Sequence, residues 1–294
     1  MTHSPVEREA LRRILAPVAE ELVAVERLLH GLAAEGGGND WLGTTVSVLL
    51  DAGGKRLRPA LVLLCARTGP AGTEAALPAA AAVELLHLAS LVHDDVIDHG
   101  TLRRGLPTVN SRWGDALAIL TGDFLFGKAM VVASGLPPGV VRQIGEVIGV
   151  LVGGEVEQQL SRDQPLETGA YLRRIQRKTA ALVAAACRIG ATLGGAREDT
   201  VERLAQYGRW LGIAFQVVDD VLDVDGDPAV LGKAVGVDAR CAIATLPALV
   251  SREKARDLAE EFVVRARAEL TGLRPVWLRR TLGELAAFVL RRRS

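Results

Sequence analysis

Aromatic side chains are scarce in this sequence, 4 % of 294 residues, although 49 % of residues are hydrophobic. Ala, Leu and Val therefore supply the apolar mass, and that composition favours helices over sheets, because strands prefer β-branched and aromatic residues. Cysteine is rare as well. Cys65, Cys187 and Cys241 are odd in number and share no metal-like spacing, so they read as reduced, intracellular thiols. Net charge is zero and no long basic block exists, Arg291-Arg292-Arg293 being too short, so no nucleic acid is expected as a partner. The N-terminal MTHSPVEREALRRILAP has acidic residues and no apolar core segment, unlike a secretory signal. Runs such as Ala75 to Val83 and Ala180 to Ala186 fall short of a transmembrane segment. A cytoplasmic protein is the expectation. Lysine is the last shortage, five against 30 arginines, and Lys55, Lys178 and Lys233 all fall inside motifs described below.

What is present is organised around Leu85 to Asn110, LLHLASLVHDDVIDHGTLRRGLPTVN. It sets Asp94, Asp95 and Asp98 at the end of an apolar helical run, followed by Arg103 and Arg104. Asp94 and Asp98 are one turn apart and share a helix face, with Asp95 beside them. Close carboxylates repel one another without a cation, and Mg²⁺ takes one or two carboxylates together with substrate phosphates. The arginines offer forked donors to the same phosphates. The pattern recurs at Asp219, Asp220 and Asp223 in FQVVDDVLD, about 125 residues on, again closing an apolar run. One copy is weak; two are hard to assign to chance.

Helical periodicity runs through residues 5–34, from about Trp41 to GGKRLRP (Gly53 to Pro59), then from Pro59 to Ala66 and through the first aspartate motif. Further helices are expected over about 110–134, 138–160, 168–194, 198–224, 246–272 and 275–292, separated by GLPPG, SRDQPLETG and GGARED. No useful strand run and no interdomain linker is visible. The reading is an all-α bundle, one domain over 1–294, with the two motifs facing a central cavity.

Other constellations have bland alternatives. GGKRLRP joins two glycines to Lys55, Arg56 and Arg58, either an anion site or a solvated helix cap. His87 lies seven residues before Asp94, on nearly the same face, either core or site. Lys178-Thr179 sits in YLRRIQRKTA, where a lysine can also snorkel. Glu155 and Gln158 are one turn apart, lining a cavity or satisfying the core. DVDGDPAVLGKAVGVD carries Lys233; Pro228 and Ala234 replace the Gly and Glu that a calcium-binding EF-hand needs.

Together, GGKRLRP, ELLHLASLVHDDVIDHGTLRRGLPTVN, GDFLFGKA, GGEVEQQ, RKTA, FQVVDDVLD, LGKAVGVD and TLP resemble the trans-isoprenyl diphosphate synthases, the polyprenyl synthetase family. The resemblance covers about 200 residues in order. It implies an isoprenoid synthase type I fold, usually a homodimer, with about three Mg²⁺ ions per active site. It implies isopentenyl diphosphate at Lys55, Arg58, His87 and Arg104, and an allylic diphosphate at Arg103, Lys178 and Lys233. Asp94, Asp98 and Asp219 would be direct metal ligands, with Asp95, Asp220 and Asp223 supporting them, and Thr179 and Gln216 would lie beside the reacting carbon.

One departure stands out: the family's Gly-Lys before TLP is replaced by Ala242-Ile243. A class I terpene cyclase, or a low-activity subunit of a heteromeric synthase, remain as alternatives. The resemblance also implies that small residues one turn before the first motif leave room for chain growth, so Ala89 and Ser90 point to a long product of about C30 or more, with a geranylgeranyl product as runner-up. Gly145, Gly149 and Gly153 either thin a tunnel wall or mark close helix packing.

Overall fold

The computed structural model describes residues 5–35, 40–103, 105–161, 166–225 and 245–291. Among these, fourteen α-helices account for nearly all regular structure. The opening periodic run forms α1 (Pro5–Leu15) and α2 (Ala19–Ala34), divided by a 3₁₀ turn at Ala16–Val18, where Pro17 removes a backbone donor. Next come α3 (Asp40–Asp51), α4 (Leu57–Ala66) and α5 (Leu77–Ile97). A hairpin of two-residue strands, β1 (Leu102–Arg103) and β2 (Leu106–Pro107), pairs Leu102 with Pro107 and Arg103 with Leu106.

The helix expected over 110–134 is two, α6 (Val109–Trp113) and α7 (Asp115–Ala133), because Gly114 takes φ 87° between them. After α8 (Pro138–Leu160), α9 (Thr168–Ile175) and α10 (Ala181–Leu193) are joined by a π turn at Gln176–Ala180. α11 (Glu198–Asp225) carries the second aspartate motif. The chain closes with α12 (Leu246–Leu249), α13 (Arg252–Glu269) and α14 (Val276–Arg291).

α4 and α5 supply the centre. Residues 59–66 of α4 are all buried, as are Ala79 to Leu86 of α5. α4 lies hard against α10, and a Cβ on Gly190 would sit 2.1 Å from the Val62 carbonyl oxygen. Residues 74–97 and α7 are each long and apolar enough to cross a bilayer by length and composition, longer than the sequence runs suggested. The first is two-thirds buried in the bundle, which accounts for its apolar character as core. α7 is only one-third buried and exposes Leu120 and Val131.

Candidate active site

Burial fixes α5, and its last turn presents the first motif. The Asp98 backbone N–H donates to the Asp94 carbonyl at 2.8 Å, so these two carboxylates leave the same face. Asp95 points elsewhere. It is buried and held by the Arg103 fork, with Nε 2.8 Å from Oδ2 and Nη2 2.7 Å from Oδ1. The hairpin returns Arg103 to this position. Asn110 fastens the turn, its Nδ2 donating to the carbonyls of Asp95 (3.1 Å) and Gly100 (3.0 Å). Burial lowers the Arg103 pKa, but Asp95, Asp94 and Asp98 outweigh it and the net shift is upward.

Asp94 faces a cation from another helix. Lys178 Nζ lies 3.8 Å from Asp94 Oδ1 and 2.6 Å from Glu155 Oε2. Burial pushes the Asp94 pKa up to about 6; Lys178 and Arg103 oppose that rise, while Glu155 and Asp98 add to it. Lys178 is itself desolvated, which lowers its pKa, but Asp94 and Glu155 carry it above the ordinary value.

The neighbouring residue reaches the other motif. Thr179 Oγ1 donates to Gln216 Oε1 at 3.0 Å, and Gln216 Nε2 donates to Asp220 Oδ1 at 2.9 Å. Asp220 Oδ2 accepts from the Tyr171 hydroxyl (2.7 Å) and the Leu246 backbone N–H (3.3 Å). Burial raises the Asp220 pKa, and these three donors hold it back. Asp220 is thus engaged by protein donors from α9, α11 and α12. A π turn widens the helix by one residue, a distortion frequent at functional sites. Here it aims Lys178 at α5 and Thr179 at α11.

The basic segment before α4 is divided in its use. Arg56, left-handed at φ 45°, is committed to Glu26 and to Glu84, whose Oε1 lies 2.8 Å from Nη1. It is a structural clasp, not a free phosphate ligand as the sequence allowed. Glu84 lies one turn before His87, so the clasp ties the Lys55–Arg58 segment, through the Arg56 side chain, to the part of α5 that carries His87. Lys55, Arg58 and His87 are half-buried. Asp219 is half-buried and Asp223 buried on α11. Arg104, Lys233 and Ile243 lie outside the described residues.

Glu155 belongs to the site through Lys178, whereas Gln158 is buried core, its Nε2 without a hydrogen-bond partner among the described residues. The glycines of α8 do not thin an inner wall. Gly145 and Gly149 are exposed with nothing within 4 Å of an added Cβ. Of the three spaced glycines Gly153 alone packs closely, under Arg177, and the adjacent Gly154 is buried against the π turn, where a Cβ would lie 2.8 Å from the Lys178 backbone nitrogen. Ala89 is fully buried, while Ser90 is half-buried and donates to the His87 carbonyl at 2.8 Å. Tyr171, Asn110 and Glu84 had no role assigned from sequence. Tyr171 offered one signal, being one of two tyrosines in the chain.

Among the described residues no three His, Cys, Asp or Glu side chains converge as a ready-made metal site. A hard cation bridged by substrate phosphates needs only one or two carboxylates. Asp94 and Asp98 on one face meet that need, and a carboxyl whose ionisation is penalised by burial, Glu155 and Asp98 is stabilised by added positive charge. The donor set fits.

The Polyprenyl synthetase family matches residues 39–269. The chain is 43 % identical over 243 residues to heptaprenyl diphosphate synthase component 2 of Geobacillus stearothermophilus, covering 81 % of this chain and 75 % of that one. It is 42 % identical over 197 residues to geranylgeranyl diphosphate synthase of Methanosarcina mazei, 65 % of this chain and 61 % of that one. Its fold is similar to the crystal structure of a polyprenyl synthase from Caulobacter crescentus CB15 complexed with calcium and isoprenyl diphosphate. There the TM-score is 0.91 at 31 % identity, covering 100 % of this chain and 99 % of that one.

Proposed function

The chain belongs to the polyprenyl synthetase family, whose members are transferases, and we propose that it condenses isopentenyl diphosphate with an allylic diphosphate to give a long trans-polyprenyl diphosphate. The observation that carries this reading is the pairing at the π turn: adjacent Lys178 and Thr179 reach one aspartate motif each. Ionisation of an allylic diphosphate needs cations at the leaving group and oxygen lone pairs at the carbon left behind, and this turn supplies both.

Asp94, Asp98 and Asp219 would hold a divalent metal, Mg²⁺ in this proposal, which when bound would supply Lewis-acid neutralisation of the leaving diphosphate. Lys178 and Arg103 exchange their carboxylate partners for phosphate oxygens on substrate binding. The allylic C–O bond then breaks with its electron pair on the diphosphate. Thr179, its proton committed to Gln216, turns oxygen lone pairs to the allylic cation. The double bond of isopentenyl diphosphate, anchored by Lys55, Arg58 and His87, attacks that cation and forms the new C–C bond. Loss of a proton to the departed diphosphate restores the alkene.

A homodimer is part of the proposal, because α7 and α8 expose Leu120, Val131, Val152 and Val156 where a second copy would bury them. A second reading is one component of a heteromeric synthase, suggested by the "component 2" in the name of the Geobacillus relative. Incubating the purified chain with labelled isopentenyl diphosphate, several allylic primers and Mg²⁺ tests both. The expected result is primer-dependent incorporation into a long diphosphate. A cyclic hydrocarbon from primer alone points to a cyclase, and no incorporation without a second protein supports the heteromer.

A further inference from the structure

An open cleft of about 580 Å³ lies between the end of α13 and one side of α14. It shares no residue with the aspartate motifs. Arg267 from α13 and Arg279, Arg280 and Arg291 from α14 line it, with Glu284 as the one acid. Among the described residues, none of these four arginine side chains makes a hydrogen bond or ion pair. Two neighbouring arginines, by contrast, are engaged. Arg203 donates to the carbonyls of Glu269 and Thr271, and Arg265 pairs with Glu261. The charge is regional as well as local. Residues 264–294 hold eight arginines and two glutamates, a net of +6 in a chain whose total is zero.

Gly283 is the second observation. It sits mid-helix in α14, where glycine costs about 1 kcal/mol relative to alanine. Packing does not require it, since the nearest atom to a built Cβ is Arg267 Nε at 3.8 Å, ordinary contact. What the missing side chain does is keep the cleft open beside that guanidinium. Four guanidiniums sharing one cleft repel one another unless an anion joins them. Their planar forks match phosphate oxygens in pairs, and the volume is that of a small-molecule site.

We propose that the cleft between α13 and α14 is a second anion site, binding a soluble phosphorylated small molecule of the diphosphate class. The proposal uses no property of the aspartate site. Inorganic diphosphate is the probe, titrated against the full chain in EDTA so that metal-bridged binding elsewhere is suppressed. Saturable binding is expected to persist in Lys55→Ala/Arg58→Ala and to weaken at least tenfold in Arg267→Ala/Arg280→Ala. Gly283→Leu, which fills the cleft and leaves every charge, is expected to weaken it similarly. All these positions are at least partly exposed, and unchanged melting midpoints verify folding; glutamine replaces alanine if a midpoint falls. Binding lost in Lys55→Ala/Arg58→Ala but unchanged in the α13–α14 variants overturns the proposal, as does binding indifferent to Gly283→Leu. Co-sedimentation with phosphatidylglycerol vesicles that free diphosphate does not displace would assign the arginines to lipid headgroups and also overturn it.

Discussion

Lys178 Nζ stands 3.8 Å from Asp94 Oδ1, across the space between the π turn and the end of α5. A lysine placed there compensates a buried carboxylate while the site is without substrate, and it is within reach when a diphosphate arrives. Lys178→Ala should therefore do two things. It should cut kcat by at least tenfold and raise the KM for the allylic substrate more than that for isopentenyl diphosphate. Equal effects on both KM values, in steady-state assays varying each substrate, would refute the assignment.

Asp94 and Asp219 should each be needed for turnover and neither for folding. Asp94→Ala and Asp219→Ala are expected to lower kcat by orders of magnitude while far-ultraviolet circular dichroism is retained, and EDTA should abolish wild-type activity. Full activity in any of the three conditions would remove the metal role.

The raised Asp94 pKa has a sign that can be measured. Its folded value of about 6 exceeds the ordinary 3.8, so between those values the folded chain binds more protons than the unfolded one. The contribution of Asp94 to stability is present at low pH and is lost as pH rises through about 6. Metal binding opposes this, because Mg²⁺ needs the ionised carboxylate. The rise in melting temperature caused by Mg²⁺ should shrink as pH falls below about 6, and Asp94→Asn should flatten that dependence.

Tyr171 tests the chain of hydrogen bonds behind Thr179. Removing its hydroxyl leaves Asp220 Oδ2 with the longer contact from the Leu246 N–H. A hydrogen bond to a charged group is worth about 1.5–3 kcal/mol, so Tyr171→Phe should lower stability by that order. If Asp220 orients Gln216, kcat should fall as well, with KM for isopentenyl diphosphate unchanged. A loss of stability with kcat intact would confine Tyr171 to a structural role.

Much of this site was legible because its chemistry is written in short spacings. The four-residue step from Asp94 to Asp98 fixes a shared face on any helix, and recurrence at Asp219–Asp223 named the second element. Helix boundaries at the Gly/Pro clusters GGKRLRP, GLPPG and GGARED were legible for the same local reason, whereas the breaks at the lone Pro17 and Gly114 were not. Partner choice was not. Lys55, Arg56 and Arg58 look alike in sequence, yet Glu26 and Glu84, 30 and 28 residues away, take Arg56 as a clasp. The division of labour among Asp94, Asp95 and Asp220 also depends on distant groups, Lys178, Arg103 and Tyr171, brought in by packing. Gly145 and Gly149 carried a helical spacing that suited a tunnel wall or helix packing, and only the fold turned them outward.

Product length gives the last test, and the two small residues before the first motif are not equivalent in it. Ala89 is fully buried among the core residues of α5, so a phenylalanine there overpacks the bundle, at a cost of about 1–3 kcal/mol. Ser90 is half-buried, lies four residues before Asp94 on the same face, and among the described residues its hydroxyl donates to the His87 carbonyl within its own helix. A chain growing away from Asp94 along that face passes Ser90 first. Ser90→Phe should therefore shorten the product while sparing the first condensation and the melting temperature. Ala89→Phe should chiefly lower the melting temperature. Chromatography of dephosphorylated products under excess isopentenyl diphosphate separates the two effects. If Ser90→Phe leaves the product as long as in wild type, the growing chain does not follow this face of α5. If wild type itself stops at a short product, some other side chain already closes that path.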